Sequence, residues 1–311
     1  MFAAKSPRPS PAILIAETVG PDARQRLSGN ASRHGQVEAV FPSTAYVSLD
    51  SGLVCITLGG VDPGPISVAT TANRFSNLIA AGLSIGQPVC SNSSRIFAGG
   101  KIEIDLRPSS KWSPPAWPEF PDASLIQCGI SKSGQWMPST SNCSGLGKIA
   151  IEHIAPEKDD LVGRAARESI LAARDYVASI GAQGNRTFNW ARRLIGLGPG
   201  LTPSGDDFLG GFLIALHAIG ESEESRRLWE AIGPDARAST NPLSFALLES
   251  AAKGLGSASL HAVLLAIMAG ENPSSALASL SRCGHTSGWD ALAGAITVLD
   301  SFAARCLSAA A

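Results

Sequence analysis

The segment GLGPGLTPSGDDFLGG (196–211) concentrates residue types that bind ligands through the main chain and through carboxylates. Its alternating glycines permit positive φ angles and let a ligand approach the backbone closely. Thr202 and Ser204 supply hydroxyl groups, and Asp206 and Asp207 supply carboxylates, just before an apolar stretch with helical spacing. This combination predicts a ligand site where a glycine-rich turn meets the start of a helix.

The segment matches neither of the common nucleotide-binding loops. The dinucleotide fingerprint needs its third glycine where Leu201 stands, and a strand before it, whereas WARRLI (190–195) has a helical pattern. Gly200 and Gly205 have Walker-loop spacing, but Asp206 occupies the position of the phosphate-binding lysine. A glycine turn that leads into a helix N-terminus remains, and its free N–H groups and positive dipole end favour an anion.

The two residues Ser204 and Asp207 have a second explanation, because they could form a capping box at the helix start. Capping does not account for Thr202, Asp206 and the glycines together, so the whole segment is predicted to bind a ligand. Asp206 and Asp207 are the predicted catalytic carboxylates, and Mg²⁺ or another divalent cation is the one cofactor that they could hold. The predicted anion-binding residues here are Gly198, Gly200, Thr202, Ser204 and Gly205.

The same pattern recurs 83 positions later, because SGDDFLGGFLIAL (204–216) aligns with SGWDALAGAITVL (287–299). Gly211 and Gly294 then lie at matching positions inside helices, where each costs about 0.8–1 kcal/mol relative to alanine. We therefore predict that the two helices cross at these glycines and that both N-termini open on one cleft suited to a phosphate-type anion. A structural duplication without a ligand and a chance similarity are the alternatives.

Two further polar segments are candidates for the same cleft. In RCGHTSG (282–288), His285 is a predicted general acid or base, or else an exposed loop histidine. STNPLS (239–244) places Asn241 at an N-cap and Pro242 at the first helical position, so it either caps a helix or also forms a third wall of the cleft. The predicted anion-binding residues in these segments are Asn241, Ser244, Thr286, Ser287 and Asp290.

The two halves of the chain differ in texture. Residues 1–152 are predicted to form a β-rich domain, because segments such as AYVSLDSGLVCITL (45–58) are β-branched and partly alternating. The Pro- and Trp-rich stretch 109–124 and the stretch 128–145 are predicted to be irregular. Residues 153–311 carry both motifs and show helical apolar spacing. The sequence therefore predicts an α+β fold, with a β-rich N-terminal domain followed by an all-helical C-terminal domain.

Composition excludes several classes of function. A net charge of −1 and only 16% charged residues give no basic patch for nucleic acid. Six cysteines are widely scattered without a CxxC pair, which excludes the usual spacing of a zinc site. FLGGFLIALHAIG (208–220) is shorter than the roughly 20 residues that cross a bilayer, and the N-terminus has no secretory signal pattern. A cytoplasmic protein without nucleic-acid or membrane partners is expected.

The combination of GLGPGLTPSGDDFLGG, TNPLS and GHTSGWDALAG resembles a bacterial family long catalogued as a domain of unknown function. This family occurs in purine and allantoin catabolic gene clusters and includes a subunit of oxamate carbamoyltransferase, which acts in anaerobic allantoin degradation. The resemblance covers roughly residues 155–305, and the N-terminal half matches in texture through VFPSTAYVSLDSGLVCITL (40–58). It implies that oxalurate and phosphate give oxamate and carbamoyl phosphate, with companion protein subunits and a small anionic substrate.

Three functions from different classes remain open at this point. The first is a carbamoyltransferase subunit, in which the loop N–H groups, Thr202 and Ser204 stabilise developing charge. The second is a stand-alone metal-dependent hydrolase that uses Asp206, Asp207 and Asp290. The third is a non-catalytic ligand-binding or scaffold subunit. The chain has no evident basic cluster of the kind usual at phosphate sites, which favours a metal or residues from a partner subunit.

Overall fold

The computed structural model describes residues 11–29, 31–71, 77–133, 145–150, 160–182 and 187–310. The chain divides into two units, Met1–Ser113 and Pro114–Ala311. The described part of the first unit consists mainly of strands, and the regular elements described in the second unit are all helices. The predicted α+β class, with strands first and helices after them, is therefore confirmed.

The first unit is a closed sheet. The strands follow the order β5-β4-β3-β2-β6-β7-β8-β1, and β1 also pairs with β5, so eight strands form a barrel-like ring. The short β9 pairs with the end of β1 beyond β8. One helix, α1, follows β1. The bounds are β1 Ala12–Val19, α1 Pro21–Leu27, β2 Arg33–Val40, β3 Thr44–Leu49, β4 Gly52–Thr57, β5 Ser67–Thr70, β6 Pro88–Ser91, β7 Arg95–Ala98, β8 Ile102–Asp105 and β9 Ser110–Lys111.

Most strands of the barrel alternate between buried apolar and more exposed residues, whereas β4 is buried along almost its whole length. The predicted β segment 45–58 is an antiparallel hairpin of β3 and β4, in which β3 alternates residue by residue between half-buried and buried positions. Closure removes the free edges that would otherwise expose unpaired N–H and C=O groups. The interior is filled by aliphatic side chains, among them Leu14, Val37, Val47, Ile56, Ile96 and Ile104.

The second unit is a helical bundle with one continuous apolar core. Most of its described helices lie after residue 153, where the sequence shows helical apolar spacing. The bounds are α2 Ala123–Ser133, α3 Gly147–Ala150, α4 Leu161–Ala178, α5 Asn189–Arg192, α6 Ser204–Ala218, α7 Ser222–Ser239, α8 Pro242–Ala251, α9 Ala258–Met268, α10 Ser274–Leu280 and α11 Ser287–Ala310.

The segment that follows the barrel groups with the helices. The helix α2 packs so closely on α9 that a Cβ atom on Gly129 would lie 2.2 Å from the carbonyl oxygen of Ile267. The sequence placed the domain boundary at 152, whereas the two structural units meet between Ser113 and Pro114. Long-range contacts group this segment with the bundle, and its local composition does not reveal them.

The prediction of irregular structure for residues 128–145 is wrong at the start of this range. Residues up to Ser133 continue the helix α2, and 134–144 lie outside the described residues. The Pro- and Trp-rich stretch 109–124, also predicted to be irregular, has no helix or strand from 112 to 122, but Ser110–Lys111 form β9 and the helix α2 begins at Ala123. Helix propensity alone did not predict α2, because a glycine such as Gly129 destabilises the interior of a helix. The close approach of a neighbouring helix explains why a glycine is present there.

The helices α6 and α11 cross at their matching glycines, as the sequence repeat predicted. A Cβ atom on Gly211 would lie 1.7 Å from the carbonyl oxygen of Ala291. A Cβ atom on Gly294 would lie 1.9 Å from the carbonyl oxygen of Phe208. Only glycine permits this backbone approach, so these two residues determine how the helices that carry the motifs meet.

Among the described residues, one helix, Ser287–Ala309, is long and apolar enough to cross a bilayer by length and composition, and 56% of its most apolar 18-residue stretch is buried inside the structure. It is longer than the 13-residue apolar stretch noted in the sequence (208–220). Its contact with α6 gives the apolar side chains a packing role, since the core helix of a bundle has the same composition.

Candidate functional site

The glycine turn has the backbone conformation that its sequence predicted. Gly196, Gly198 and Gly200 have φ angles of 69°, 116° and 100°, which other residues rarely adopt. Among the described residues, no acceptor is found for the main-chain N–H groups of Gly198, Gly200, Leu201 and Thr202. Successive free N–H groups in such a turn form a concave surface that suits an anion.

Asp206 holds this turn against the start of α8. Its Oδ1 accepts a hydrogen bond from the Gly196 N–H at 2.8 Å. Its Oδ2 accepts from the hydroxyls of Thr240 and Ser244, the latter at 2.6 Å. The carboxylate is 2% exposed, and both oxygens have donors. This arrangement gives Asp206 a positioning role, and its predicted catalytic and metal-binding roles remain predictions.

Asn241 both caps a helix and contacts the turn. Its Oδ1 accepts from the N–H groups of Leu243 and Ser244, each at 3.0 Å, which confirms the predicted N-cap. Its Nδ2 donates to the carbonyl oxygen of Leu201 at 2.8 Å. The two explanations of the STNPLS segment are therefore compatible, because the cap residue also lies beside the glycine turn.

The predicted capping box at Ser204 is wrong. The helix α6 begins at Ser204, its N-cap residue is Pro203, and no side chain caps it. The N–H groups of Asp206 and Asp207 donate instead to the Pro203 carbonyl, at 2.9 and 3.0 Å. The hydroxyl of Ser204 faces the carboxyl of Asp290 on α11, so a long-range partner replaces the local cap.

The two repeated motifs contact each other in a reciprocal way. The first serine of α11, Ser287, lies beside Asp207 at the fourth position of α6. The first serine of α6, Ser204, interacts with Asp290 at the fourth position of α11. Each carboxyl group is therefore approached by the serine that begins the other helix, which is the relation expected of two copies of one motif around a pseudo-twofold axis.

Two threonines complete this cluster. Thr202 lies beside Asp207, and its Oγ1 is 2.7 Å from Oγ of Ser287. Thr286 lies beside Asp290 in the turn that precedes α11. The contact between Thr202 and Ser287 confirms the expectation that the two helix starts meet.

Both carboxyl groups of the cluster have raised pKa values. Burial raises the pKa of Asp290 to about 6, while the Leu146 N–H, which donates to its Oδ1 at 2.6 Å, opposes the shift. Burial raises the pKa of Asp207 well above its ordinary value, and the negative charge of Asp290 raises it further. The Oδ2 atom of each is buried and has no hydrogen-bond partner within the described ranges. Such a pair retains a proton more readily than a solvated aspartate does.

A family model described as oxamate carbamoyltransferase subunit AllH matches residues 194–299, which contain both motifs and the STNPLS segment. A model of the AllH family N-terminal domain matches residues 13–111. The chain belongs to the AllH family. The resemblance drawn from the motifs is confirmed, and the N-terminal family domain ends close to the structural division at Ser113. No solved structure matches the chain.

The two arginines that precede the AllH motif form ion pairs with acidic residues outside the motif. Arg192 pairs with Asp235 at 2.8 Å and also donates to a main-chain carbonyl of α7. Arg193 pairs with Glu168 at 3.4 Å. His285 is exposed, and no hydrogen bond to its side chain is found among the residues described here, so its catalytic role remains a prediction. In the described part of the chain, no group of three His, Cys, Asp or Glu side chains could hold a metal ion.

The sequence did not indicate two groups that contact the carboxylates of this AllH site. Leu146 donates its N–H to Asp290, and a Cβ on Gly145 would lie 2.6 Å from Oδ1 of Asp290. Thr240 donates to Asp206 although it was quoted only as part of a cap segment. The two glycines of GLGK (145–148) were the available signal, but the sequence gave no reason to place them beside a motif that is more than 100 positions away.

Proposed function

We propose that this chain is a subunit of a carbamoyltransferase that interconverts oxalurate and phosphate with oxamate and carbamoyl phosphate. Its ligand site lies where α6 and α11 begin. The observation that carries this proposal is the contact between Thr202 and Ser287, which joins the two motifs inside the segment that the AllH model matches. The matching family bears the name of a subunit, which supports companion proteins.

The two sides of the proposed site suit the two ends of a carbamoyl compound. The free N–H groups of the turn from Gly198 to Thr202 provide donors for a phosphate or carboxylate oxygen. The carboxyl groups of Asp207 and Asp290 provide acceptors for the N–H groups of a carbamoyl nitrogen. The hydroxyls of Thr202 and Ser287 lie between them and can donate or accept. An oxyanion at the carbamoyl carbon would be stabilised by such preorganised donors.

The surroundings of the site favour catalysis in an assembly. Phosphate sites usually contain arginine or lysine, but Arg192 and Arg193 are engaged in ion pairs with Asp235 and Glu168. Two carboxyl groups with raised pKa values also repel an anion unless they are protonated or shielded. A companion subunit that supplies positive charge at the cluster resolves this difficulty. We therefore expect the isolated chain to bind ligand and to turn over little of it.

A metal-dependent hydrolase is less well supported by the same geometry. Both oxygens of Asp206 accept hydrogen bonds from Gly196, Thr240 and Ser244. This leaves Asp207 and Asp290 as available carboxyl groups, and the described residues contain no larger set of metal-ligating side chains. These donors do not fit a dedicated divalent-cation site, so no catalytic step is assigned to a metal.

Calorimetric titration of the pure chain with carbamoyl phosphate, with and without Mg²⁺, tests the proposed site. We expect saturable binding that Mg²⁺ does not change and that Ser287→Ala weakens by about tenfold, or 1.4 kcal/mol. Ser275→Ala, which removes an exposed serine of α10, serves as the matched control. Equal affinity in Ser287→Ala and wild type would place the ligand elsewhere. Ligand binding without turnover in the complete assembly would favour a scaffold subunit instead.

A further inference from the structure

Apart from Ser259 and His261, which are both buried, the helix α9 consists of apolar residues. Its inner face is buried in the bundle through Leu260, Val263, Leu264 and Ile267. A surface helix ordinarily carries polar residues on its outer face. On α9 the outer positions are also apolar, with the spacing i, i+3, i+4 and i+7, and they are half-buried or exposed: Ala262, Leu265, Ala266 and Ala269.

This outer stripe of α9 forms one wall of a groove. The opposite wall is the segment 118–125, and the groove has a volume of about 560 Å³. Phe120 is 84% exposed and Leu125 is 46% exposed, although both are large apolar side chains. The Trp117 ring stacks on His261 of α9 with ring centres 4.7 Å apart, so the wall is attached to the helix next to the groove. The groove is therefore preformed.

The charges around the groove have one sign. Asp122 and Glu271 are the charged residues that line it. Asp122 uses Oδ1 to cap α2 through the N–H groups of Ser124 and Leu125, and its negative charge has no ion-pair partner among the described residues. Glu271 follows the C-terminal end of α9, which also carries a partial negative charge, although Lys132 donates to the neighbouring Gly270 carbonyl at 2.5 Å.

The sign of these charges selects between possible occupants. A second copy docked symmetrically would bring Asp122 and Glu271 of each copy to one interface, where the like charges repel. A partner with lysine or arginine beside an apolar anchor meets no such repulsion. The small side chains of Ala262, Ala266 and Ala269 also let another backbone approach closely, as in helix-in-groove recognition.

We propose that the groove between α9 and the segment 118–125 docks a helix of a companion subunit, apolar along one face and basic at its end. The inference rests on the proposed function, because the companion subunits are part of that function. It adds the surface that binds one of them, which lies on the helical unit and consists of residues distinct from the Thr202–Ser287 cluster.

The test uses the full chain and the co-purified companion subunits of oxamate carbamoyltransferase, with association measured by titration and by sedimentation. We expect Phe120→Ser and Ala266→Gln each to weaken association at least about tenfold, because an aromatic anchor and a close approach are lost. Ala278→Gln, on the exposed face of α10, is the matched control and should bind like the wild type. Each variant alone should keep the wild-type unfolding midpoint and the wild-type affinity for carbamoyl phosphate.

A charge exchange gives a second readout. Glu271→Lys should weaken association at low salt more than Glu271→Gln does, whereas Glu168→Lys on the exposed surface of α4 should have no effect. Wild-type association in all the groove variants would overturn the proposal. A change in self-association of the chain alone would overturn it in favour of a second copy. Failure of the wild type to bind companion subunits would overturn it as well, while the carbamoyl phosphate titration would still test the ligand site.

Discussion

The hydroxyl groups of Thr202 and Ser287 lie 2.7 Å apart although 85 positions separate them in the chain. This contact closes a cluster in which Ser287 lies beside Asp207 and Ser204 lies beside Asp290. The crossing of α6 and α11 at their glycines makes the contact possible, because it places two copies of one motif face to face. The stability of this crossing and the state of its carboxyl groups lead to the following predictions.

Replacement of the crossing glycine should be strongly destabilising. In Gly211→Ala the new Cβ would lie 1.7 Å from the Ala291 carbonyl oxygen, so the two helices must separate. We expect a loss of at least about 3 kcal/mol in the free energy of unfolding. Gly210→Ala is the control, because its Cβ would be 3.8 Å from the Cβ of Ala251 and it should gain about 0.5–1 kcal/mol of helix propensity. Urea denaturation measures both, and similar stabilities would contradict the crossing.

The carboxylate of Asp206 should stabilise the fold. In Asp206→Asn, one side-chain oxygen remains to accept hydrogen bonds from Gly196, Thr240 and Ser244. The new amide N–H groups also face groups that are themselves hydrogen-bond donors. We expect the free energy of unfolding to fall by about 2–3 kcal/mol, with or without Mg²⁺. Asp235→Asn removes an exposed partner of Arg192 and should change stability by less than about 1 kcal/mol. A loss that appears only with Mg²⁺ present would instead support a metal at Asp206.

Asp290 should make stability depend on pH. Its folded-state pKa of about 6 exceeds the value of about 4 in an unfolded chain, so the folded state keeps the proton between these values. The contribution of Asp290 to stability is therefore fully present below pH about 4 and is lost as pH rises through about 6, by at most about 3 kcal/mol. Asp207 acts in the same direction.

The variant Asp290→Asn tests this pH dependence directly. Asparagine stays neutral and its Oδ1 can still accept from the Leu146 N–H. We expect a shallower decline of stability between pH about 4 and about 6 than in the wild type, measured by urea unfolding in matched buffers. Parallel pH curves for the two proteins would show that Asp290 has no raised pKa in the folded state.

Asn241 should affect both stability and ligand affinity. Asn241→Ala removes the cap of α8 and the bond to the Leu201 carbonyl, so the glycine turn loses a support. We expect a loss of about 1–2 kcal/mol in unfolding free energy and weaker carbamoyl phosphate binding. Asn272→Ala removes an exposed side chain that accepts a hydrogen bond from the Ser274 N–H, and it should lower stability without changing ligand affinity. If both variants bind ligand like the wild type, the turn does not form part of the site.

Local properties of this protein could be predicted from its sequence. Partly alternating apolar residues predicted strands within 45–58, and helical spacing predicted helices after residue 153. The glycines at 196, 198 and 200 indicated positive φ, since this conformation depends on the residue itself. The repeat indicated that α6 and α11 cross at Gly211 and Gly294, because a glycine inside a helix needs a close neighbour to explain its cost.

Other properties were decided by the tertiary structure. Asp206 and Asp207 are adjacent in sequence, yet Asp206 holds the turn through Gly196, Thr240 and Ser244, while Asp207 faces Ser287 and Asp290. Successive positions on a helix point about 100° apart, so their partners come from different elements. The sequence by itself therefore determined the elements, the turn and the duplicated motif. The tertiary structure decided barrel closure, the boundary near residue 113 and the pairing of Asp207 with Asp290, because these depend on contacts between residues far apart in the chain.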